Sequence, residues 1–224
     1  MLSGKKKYLQ VALNSTLSDA YSIISKLPAS DRILIEAGTP LIKSFGSDGI
    51  SSIASWWSRK LMPLGLFPYI VADLKCMDRG TTEVEIAKRS GASAAVALGL
   101  APVETIDAFI ETCKIQDIDS MLDMMNVEYP VKYLRKLKKL PTVIILHRGV
   151  DETEFNKSKP IPYIQVNKVR SSFDTMISIA GGDSIREVQR AIFNGADIVV
   201  VWKEFYQASG DTGALAEEFL RNIK

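Results

Sequence analysis

The segment PYIVADLKCMDRG, residues 68–80, begins as an apolar strand and ends in charged residues. Asp73, Lys75 and Asp78 fall within six residues of one another, directly after the apolar run. A run without alternating polar residues is typical of a parallel strand that is covered on both faces. A buried strand of this kind that ends in two carboxylates and an ammonium predicts a charged site at its carboxyl end.

Seven other apolar runs resemble this strand and alternate with segments of helical spacing. The eight candidate strands cover residues 8–14, 32–38, 68–75, 93–99, 119–126, 142–147, 175–181 and 197–203. A helical segment follows each of them within a chain of 224 residues. Eight strand–helix units of this total length predict a (β/α)₈ TIM barrel, folded as a single domain over residues 1–224.

Local signals predict several helix boundaries and one irregular segment. N-caps and C-cap glycines are expected at Thr16, Ser184, Gly91 and Gly195. The second helix is expected over residues 47–62. Residues 149–163, after the sixth strand, are polar and contain prolines, and they predict a long loop of the kind that often covers a barrel site.

Composition excludes several classes of protein. The formal net charge of +2 gives no case for nucleic-acid binding. No apolar run reaches the roughly 18 residues that a membrane helix requires, and the N-terminus lacks an apolar signal core, so a cytoplasmic protein is expected. Cys76 and Cys113 form neither a disulfide framework nor a zinc pattern, and are expected to be buried.

Polar residues collect where the predicted strands end. The active sites of TIM barrels lie at the carboxyl ends of the strands. The candidate site residues at these ends are Asn14, Glu36, Asp73, Lys75, Asp78, Asp123, His147, Arg148, Gly181, Gly182 and Lys203. Such a convergence predicts that the mouth of the barrel is the functional site.

The buried carboxylates require partners, because an unpaired buried charge costs several kcal/mol. Asp73 and Lys75 are two apart on a strand and share a face, so they are expected to pair. Glu36, on the neighbouring strand, would approach Asp73, and two adjacent carboxylates indicate a hard cation such as Mg²⁺ between them. A purely structural ion pair is the alternative interpretation of Asp73 and Lys75.

The remaining candidates each have a functional and a structural interpretation. His147, the one histidine of the chain, is a candidate for proton transfer or a rim residue. Lys75 beside two acids should stay charged, which favours an electrostatic role over a Schiff base. Gly181 and Gly182 indicate a phosphate cradle or a plain turn. Asp78 lies past its strand and must reach the site by another route or from another chain.

The motif Asp73-x-Lys75-x-x-Asp78 at the end of strand three resembles the hallmark of the orotidine 5′-monophosphate decarboxylase superfamily. Within it, the segments LQVALN, IEAGTPLIKSFG, VADLKCMDRG, LDMMNVEYPV, HRGVD, IAGG and NGADIVVV resemble the 3-hexulose-6-phosphate synthase family nearly end to end. The nucleotide decarboxylases of the superfamily have a lysine at the position of Glu36. The glutamate is similar to that of the metal-dependent members.

This resemblance implies a reaction and a set of roles. Glu36 and Asp73 would hold Mg²⁺, with Asp123 nearby. His147 would remove a proton from C1 of ribulose 5-phosphate, giving a 1,2-enediolate that attacks formaldehyde, while Lys75 stabilises the developing charge. Asp78 would enter the active site of the neighbouring subunit, which implies a homodimer with shared sites.

Several residues depart from the family pattern, mostly at the end expected to bind phosphate. The family usually has Asp where this chain has Asn14, and Gly-Arg where it has Trp202 and Lys203. Asp183 adds a negative charge near the expected phosphate, or caps the following helix. Two alternatives therefore stay open. One is a decarboxylase of 3-keto-L-gulonate-6-phosphate type or an epimerase, although that decarboxylase has an arginine where this chain has Val150. The other is a non-catalytic regulatory paralogue.

Overall fold

The computed structural model describes residues 1–156, 158, 160–207 and 211–224. Eight parallel strands hydrogen-bond in chain order, and the last pairs with the first, so that the sheet closes into a barrel. The strands are β1 (Tyr8–Leu13), β2 (Ile33–Ala37), β3 (Ile70–Cys76), β4 (Ala94–Leu98), β5 (Asp119–Asp123), β6 (Val143–His147), β7 (Met176–Ala180) and β8 (Ile198–Val201). The predicted (β/α)₈ barrel is confirmed, and each strand lies within its predicted segment to within one residue.

Helices surround the barrel and connect successive strands. They are α1 (Leu17–Lys26), α2 (Thr39–Leu61), α3 (Gly80–Arg89), α4 (Val103–Ile115), α5 (Pro130–Leu134), α6 (Val150–Phe155), α7 (Tyr163–Arg170), α8 (Ile185–Phe193), α9 (Lys203–Gln207) and α10 (Thr212–Asn222). A short 3-10 turn, Met62–Leu64, follows α2. Within the described ranges, none of these helices combines the length and the apolar character that crossing a bilayer requires.

The two faces of each strand pack into different cores. In β1, Leu9, Val11 and Leu13 pack outward against the helices, whereas Gln10 and Ala12 face the inside of the barrel. The interior is filled near the amino ends of the strands by a second apolar cluster, which includes Tyr8, Leu34, Val71, Met121, Val143 and Ile198. Burying each large apolar side chain contributes roughly 1.5–3 kcal/mol. This packed floor closes the inside of the barrel below the cavity at the carboxyl ends of the strands.

The predicted helix caps are confirmed. Thr16 and Ser184 accept hydrogen bonds from the backbone N–H groups of Asp19 and Glu187, which satisfies the first turns of α1 and α8. Gly91, after α3, adopts a φ of 88°, the left-handed conformation that usually follows a helix end. Cys76 and Cys113 are free and buried, as expected.

Two helical segments differ from their predictions. The second helix begins at Thr39, directly after β2, and it breaks at Gly46, which has a φ of 61°. The predicted range 47–62 therefore covers only the part of α2 that follows Gly46. The part before it was missed because glycine usually interrupts a helical pattern. The predicted long loop over 149–163 contains the two-turn helix α6, in which Glu152 accepts a hydrogen bond from the N–H of Gly149. Residues 157 and 159 of that segment lie outside the described part of the chain.

Strand β3 contains an irregularity at its carboxyl end. Its register against β4 shifts between Ala72 and Cys76, and Lys75 adopts a φ of 45°. A non-glycine residue in this left-handed region costs about 1 kcal/mol or more, and such strain is concentrated at functional sites. The bulge therefore marks the end of β3 as the point where the barrel departs from regular geometry.

Candidate active site

A cavity of about 440 Å³ opens at the carboxyl ends of the strands. It is lined by residues from all eight strands and from several of the connections that follow them. The predicted residues that line it are Asn14, Glu36, Asp73, Lys75, Asp123, His147, Arg148, Gly181 and Lys203. The expected convergence at the barrel mouth is therefore present, and Asp78 and Gly182 are the two candidates that do not line this cavity.

Lys75 joins two of the acidic strand ends. Its Nζ donates hydrogen bonds to Asp73 Oδ2 at 2.7 Å and to Asp123 Oδ2 at 3.1 Å. Burial alone would lower the pKa of this ammonium, but the charges of Asp73 and then Asp123 outweigh burial and raise it. The lysine stays positively charged at neutral pH, which fits an electrostatic role and not that of a free amine nucleophile.

The single histidine pairs with the acid of β5. His147 Nδ1 lies 2.7 Å from Asp123 Oδ2, and Asp123 Oδ1 accepts a hydrogen bond from the N–H of Met125. Burial would raise the pKa of Asp123, but the charge and hydrogen bond of His147, together with Lys75, lower it to about 2. Burial would lower the pKa of His147, but Asp123 raises it. The ionised carboxylate thus holds Nδ1 and leaves Nε2 as the nitrogen available for proton transfer.

Glu36 is the second acid of the predicted cation site. Its side chain is buried, and Gln10 Nε2 donates a hydrogen bond to Oε2 at 2.5 Å. Burial, and next the negative charge of Asp73, raise the pKa of Glu36 to about 7. The two carboxylates are therefore close enough to repel each other, as the sequence predicted, and a cation between them would favour the ionised form of Glu36.

The donor set fits a hard divalent cation. Thr39 Oγ1 and Lys75 both donate to Asp73 Oδ2, whereas the buried Asp73 Oδ1 has no hydrogen-bond partner in the described structure. Among the described residues, no three or more His, Cys, Asp or Glu side chains are grouped as an all-protein metal cage. Mg²⁺ is usually held by one or two carboxylates together with waters and substrate oxygens, so Glu36 and Asp73 suffice in number and chemistry.

The glycine pair after β7 brings the chain close to the end of β6. Gly181 has a φ of 99°, and a Cβ on it would lie 2.2 Å from the carbonyl oxygen of Arg148. Arg148 lines the cavity and its Nε donates to Thr153 Oγ1 at 3.0 Å. Gly182 packs instead against Ile161, whose Cδ1 would lie 2.8 Å from a Cβ. Only the first glycine of the predicted phosphate cradle therefore borders the cavity.

The side chain of Asp183 accepts hydrogen bonds from backbone N–H groups at the end of β8. Its Oδ1 accepts hydrogen bonds from the N–H groups of Trp202 at 2.8 Å and Lys203 at 3.1 Å. The N-cap of α8 is Ser184, so the helix-capping role considered for Asp183 is wrong. Lys203 Nζ pairs with Glu154 Oε1 of α6 at 3.2 Å and lies over the Trp202 ring. The backbone N–H groups and the lysine at the end expected to bind phosphate are thus in contact with carboxylates of the chain itself, those of Asp183 and Glu154.

Two further predicted residues have distinct positions. Asp78 is exposed beyond the end of β3, between the exposed residues Met77 and Arg79. It does not border the cavity of its own chain, and its expected role in a partner's site remains a prediction. Asn14 lines the cavity and packs against Gly38, where a Cβ would lie 1.9 Å from Asn14 Oδ1. A side chain at Gly38 would therefore displace the Asn14 amide from this position.

Gln10, Thr39 and Glu154 contribute to the site but were not predicted. Gln10 is a polar residue inside the apolar run of β1, and its position there could have identified it as a candidate site residue. Thr39 and Glu154 lie in helices, and nothing in the local sequence distinguishes them from ordinary surface residues. Their roles depend on the approach of α2 to Asp73 and of α6 to the end of β8.

These features define a class of protein: a (β/α)₈ barrel with a carboxylate-rich, lysine- and histidine-containing cavity at its mouth. Residues 7–219 match the model of the orotidine 5′-phosphate decarboxylase / HUMPS family. The chain belongs to this family, and the resemblance predicted from the strand-three motif is confirmed.

Similar proteins include curated relatives and solved structures. The chain is 37% identical to the bifunctional enzyme Fae/Hps of Methanosarcina mazei over 217 residues, and 40% identical to that of Methanospirillum hungatei. Each alignment covers 96% of this chain and 52% of the relative, so the chain spans about half the length of these relatives. It also resembles the crystal structure of 3-hexulose-6-phosphate synthase from Salmonella typhimurium, with a TM-score of 0.83, 25% identity and coverage of 96% and 98% of the two chains. The structure of KGPDC from Streptococcus mutans, at 19% identity, a TM-score of 0.81 and 97% coverage of both chains, has the same fold.

Proposed function

We propose that this chain is a 3-hexulose-6-phosphate synthase, a carbon–carbon lyase that joins formaldehyde to D-ribulose 5-phosphate or cleaves the product. The observation that carries the proposal is the network of Asp73, Lys75, Asp123 and His147 beside Glu36 in one cavity. Relatives with the printed names Fae/Hps and 3-hexulose-6-phosphate synthase support the same chemistry.

The proposed reaction begins with proton removal. His147, held through Nδ1 by Asp123, takes the C1 proton of ribulose 5-phosphate on Nε2, and the ionised Asp123 stabilises the imidazolium that forms. The electron pair of the C–H bond becomes a 1,2-enediolate. Lys75 lies in the same cavity and stabilises the negative charge that develops on its oxygens. The enediolate carbon then forms the new bond to the carbonyl carbon of formaldehyde, the π electrons of its C=O bond pass to the oxygen, and the His147 imidazolium gives its proton to that alkoxide.

Mg²⁺ is part of the proposal. Glu36 and Asp73 would hold it, and when bound it supplies positive charge that acidifies the C1 proton and stabilises the enediolate. The partnerless Asp73 Oδ1 and the raised pKa of Glu36 support a cation at this position. The charge of Lys75 does not offset the effects of burial and of Asp73 on Glu36, and a divalent cation would add the missing positive charge.

A homodimer with shared sites is also proposed. Asp78 is exposed three residues after Lys75 and does not border its own cavity. Met77 and Leu100, which follow neighbouring strands at the same end of the barrel, are exposed large apolar side chains. A second copy of this chain placed over the mouth would cover them and receive Asp78.

One experiment tests the reaction. Purified protein is mixed with formaldehyde and ribulose 5-phosphate, with Mg²⁺ or with EDTA, and C1 proton exchange in D₂O is followed in parallel. We expect metal-dependent aldol formation and exchange, and we expect His147→Ala to lose both while the protein stays folded, as circular dichroism would show. Asp151→Ala, an exposed change in α6, is the matched control and should keep full activity.

A non-catalytic binding protein is the second candidate. It is favoured by the contacts of Asp183 and Glu154 with the donors expected to bind phosphate. Such a protein would bind sugar phosphate without exchange at C1. Release of CO₂ from a keto-acid sugar phosphate would instead identify a decarboxylase, although the exposed Val150 supplies no guanidinium at the position where that enzyme has arginine.

A further inference from the structure

Gln10 is a buried primary amide in the interior of the barrel. Its side chain is 1% exposed, and its partners in register on the flanking strands are Leu34 of β2 and Val200 of β8. Both neighbours are apolar. Transfer of an amide from water into such surroundings is unfavourable unless its polar atoms are hydrogen-bonded. A leucine or methionine would fill this position without that cost, so the amide requires an explanation.

Only half of the amide is satisfied within the described structure. Nε2 donates to Glu36 Oε2 at 2.5 Å, whereas the buried Oε1 has no hydrogen-bond partner. When Glu36 is ionised, as a bound cation would keep it, its carboxylate accepts hydrogen bonds and only the NH₂ group of the amide donates them, which gives this orientation. The free Oε1 is an acceptor enclosed in the wall of the cavity that Gln10 lines.

The two acids of the proposed cation site share a pattern. Thr39 Oγ1 donates to Asp73 Oδ2, and Gln10 Nε2 donates to Glu36 Oε2. The described residues place no hydrogen-bond donor on the other oxygen of either carboxylate. A neutral donor thus fixes one oxygen of each acid and leaves the second oxygen for a ligand.

We propose that Gln10 is a positioning residue for the cation held by Glu36 and Asp73. Its NH₂ group orients the Glu36 carboxylate, and its free Oε1 accepts a hydrogen bond from a water that accompanies the ion. Mg²⁺ keeps several of its waters when proteins bind it, and an acceptor for such a water is what Oε1 supplies. The inference rests on the cation site of the proposed function and adds to it a residue that does not itself bind the metal.

The test measures metal affinity and does not require turnover. Metal-stripped protein is titrated with Mn²⁺, and the free ion is counted by electron paramagnetic resonance, with Mg²⁺ as competitor. We expect Gln10→Met, which keeps the volume and removes both polar atoms, to weaken Mn²⁺ binding by about 10- to 100-fold. Because this change leaves the buried Glu36 Oε2 without its donor, we expect the melting temperature to fall, and the titration is carried out where both proteins are folded.

Two further variants sharpen the comparison. Gln10→Asn keeps the amide but shortens it by one methylene, so we expect a loss of affinity in the same direction. Ser178→Ala is the matched control, since Ser178 Oγ is also buried in the described structure and has no hydrogen bond to Glu36 or to any other described residue. It should leave Mn²⁺ binding unchanged.

The outcomes separate this inference from the proposed reaction. Equal Mn²⁺ affinity in folded Gln10→Met and wild type would overturn the positioning role, whatever the activity. Failure of wild-type protein to bind Mn²⁺ would overturn both the cation site and the role of Gln10. If the wild type forms no aldol product but the variants bind Mn²⁺ more weakly than it does, the positioning role of Gln10 would stand and only the synthase assignment would be wrong.

Discussion

The buried pair of His147 and Asp123 should make stability depend on pH in a specific window. The perturbation is Asp123→Asn in metal-free protein, which removes the negative charge but keeps the shape of the side chain. Asp123 is 1% exposed and contacts both His147 and Lys75. Solvent therefore screens the pair little, and loss of the charge should lower the free energy of unfolding.

The magnitude follows from the pKa of Asp123. It falls from 3.8 to about 2 on folding, because His147 and Lys75 outweigh the opposing effect of burial. At 1.36 kcal/mol per pKa unit, this difference corresponds to about 2 kcal/mol of stability. The contribution is present above pH 3.8 and is lost as the pH falls through about 2.

The histidine sets the other limit of the window. Asp123 raises the pKa of His147 above 6.5, so its contribution is fully present below 6.5 and is lost as the pH rises through the folded-state pKa. The ion pair is therefore complete between pH 3.8 and 6.5. We expect Asp123→Asn to destabilise the protein most in this window and less at higher pH, where Lys75 remains the partner of the carboxylate.

Two measurements check this expectation. Urea unfolding at several pH values between 4.5 and 8.5 gives the difference in stability between wild type and Asp123→Asn, with Asp151→Asn as the exposed control. Because His147 is the one histidine of the chain, tag-free protein gives a single imidazole titration by NMR. Its midpoint should lie above 6.5 in wild type and lower in Asp123→Asn. A stability difference that does not change with pH, or a wild-type midpoint at or below 6.5, would refute the reasoning.

Three further predictions concern the rest of the site. Asp183→Ala frees two backbone N–H groups at the start of α9, so inorganic phosphate should bind about tenfold more tightly by calorimetry; unchanged or weaker binding in folded protein would contradict this. Mixing Asp78→Ala with Lys75→Ala subunits should restore part of the activity through hybrid dimers, and inactivity despite demonstrated subunit exchange would indicate that each site is built from one chain. Gly181→Ala should lower the free energy of unfolding by about 1–3 kcal/mol or more, because its φ is 99° and its Cβ would meet Arg148; an unchanged urea midpoint would argue against this strain.

The sequence by itself determined the barrel and the location of the site. Each strand is a continuous apolar run, and several helices have their own spacing and caps, as α1 and α8 do. These signals are local, so they can be recognised before the fold is known. The polar residues that end most of these runs are also a local signal. Since the carboxyl ends of parallel strands converge in a closed barrel, Glu36, Asp73, Lys75, Asp123 and His147 could be assigned to one cavity before any distance was known.

Only the tertiary structure decided which atoms contact one another. The bulge that sets Lys75 at a φ of 45° depends on how β3 pairs with β4, and regular alternation along a strand does not predict it. Gln10 faces Glu36 because β1 and β2 pair in one register, and Asp183 reaches the end of β8 because the loop after β7 crosses to it. Such contacts join residues 19 to 26 positions apart in the chain, and the free energy that selects them comes from packing the whole barrel. A local pattern therefore identifies the charged residues, whereas their pairing is a property of the closed sheet.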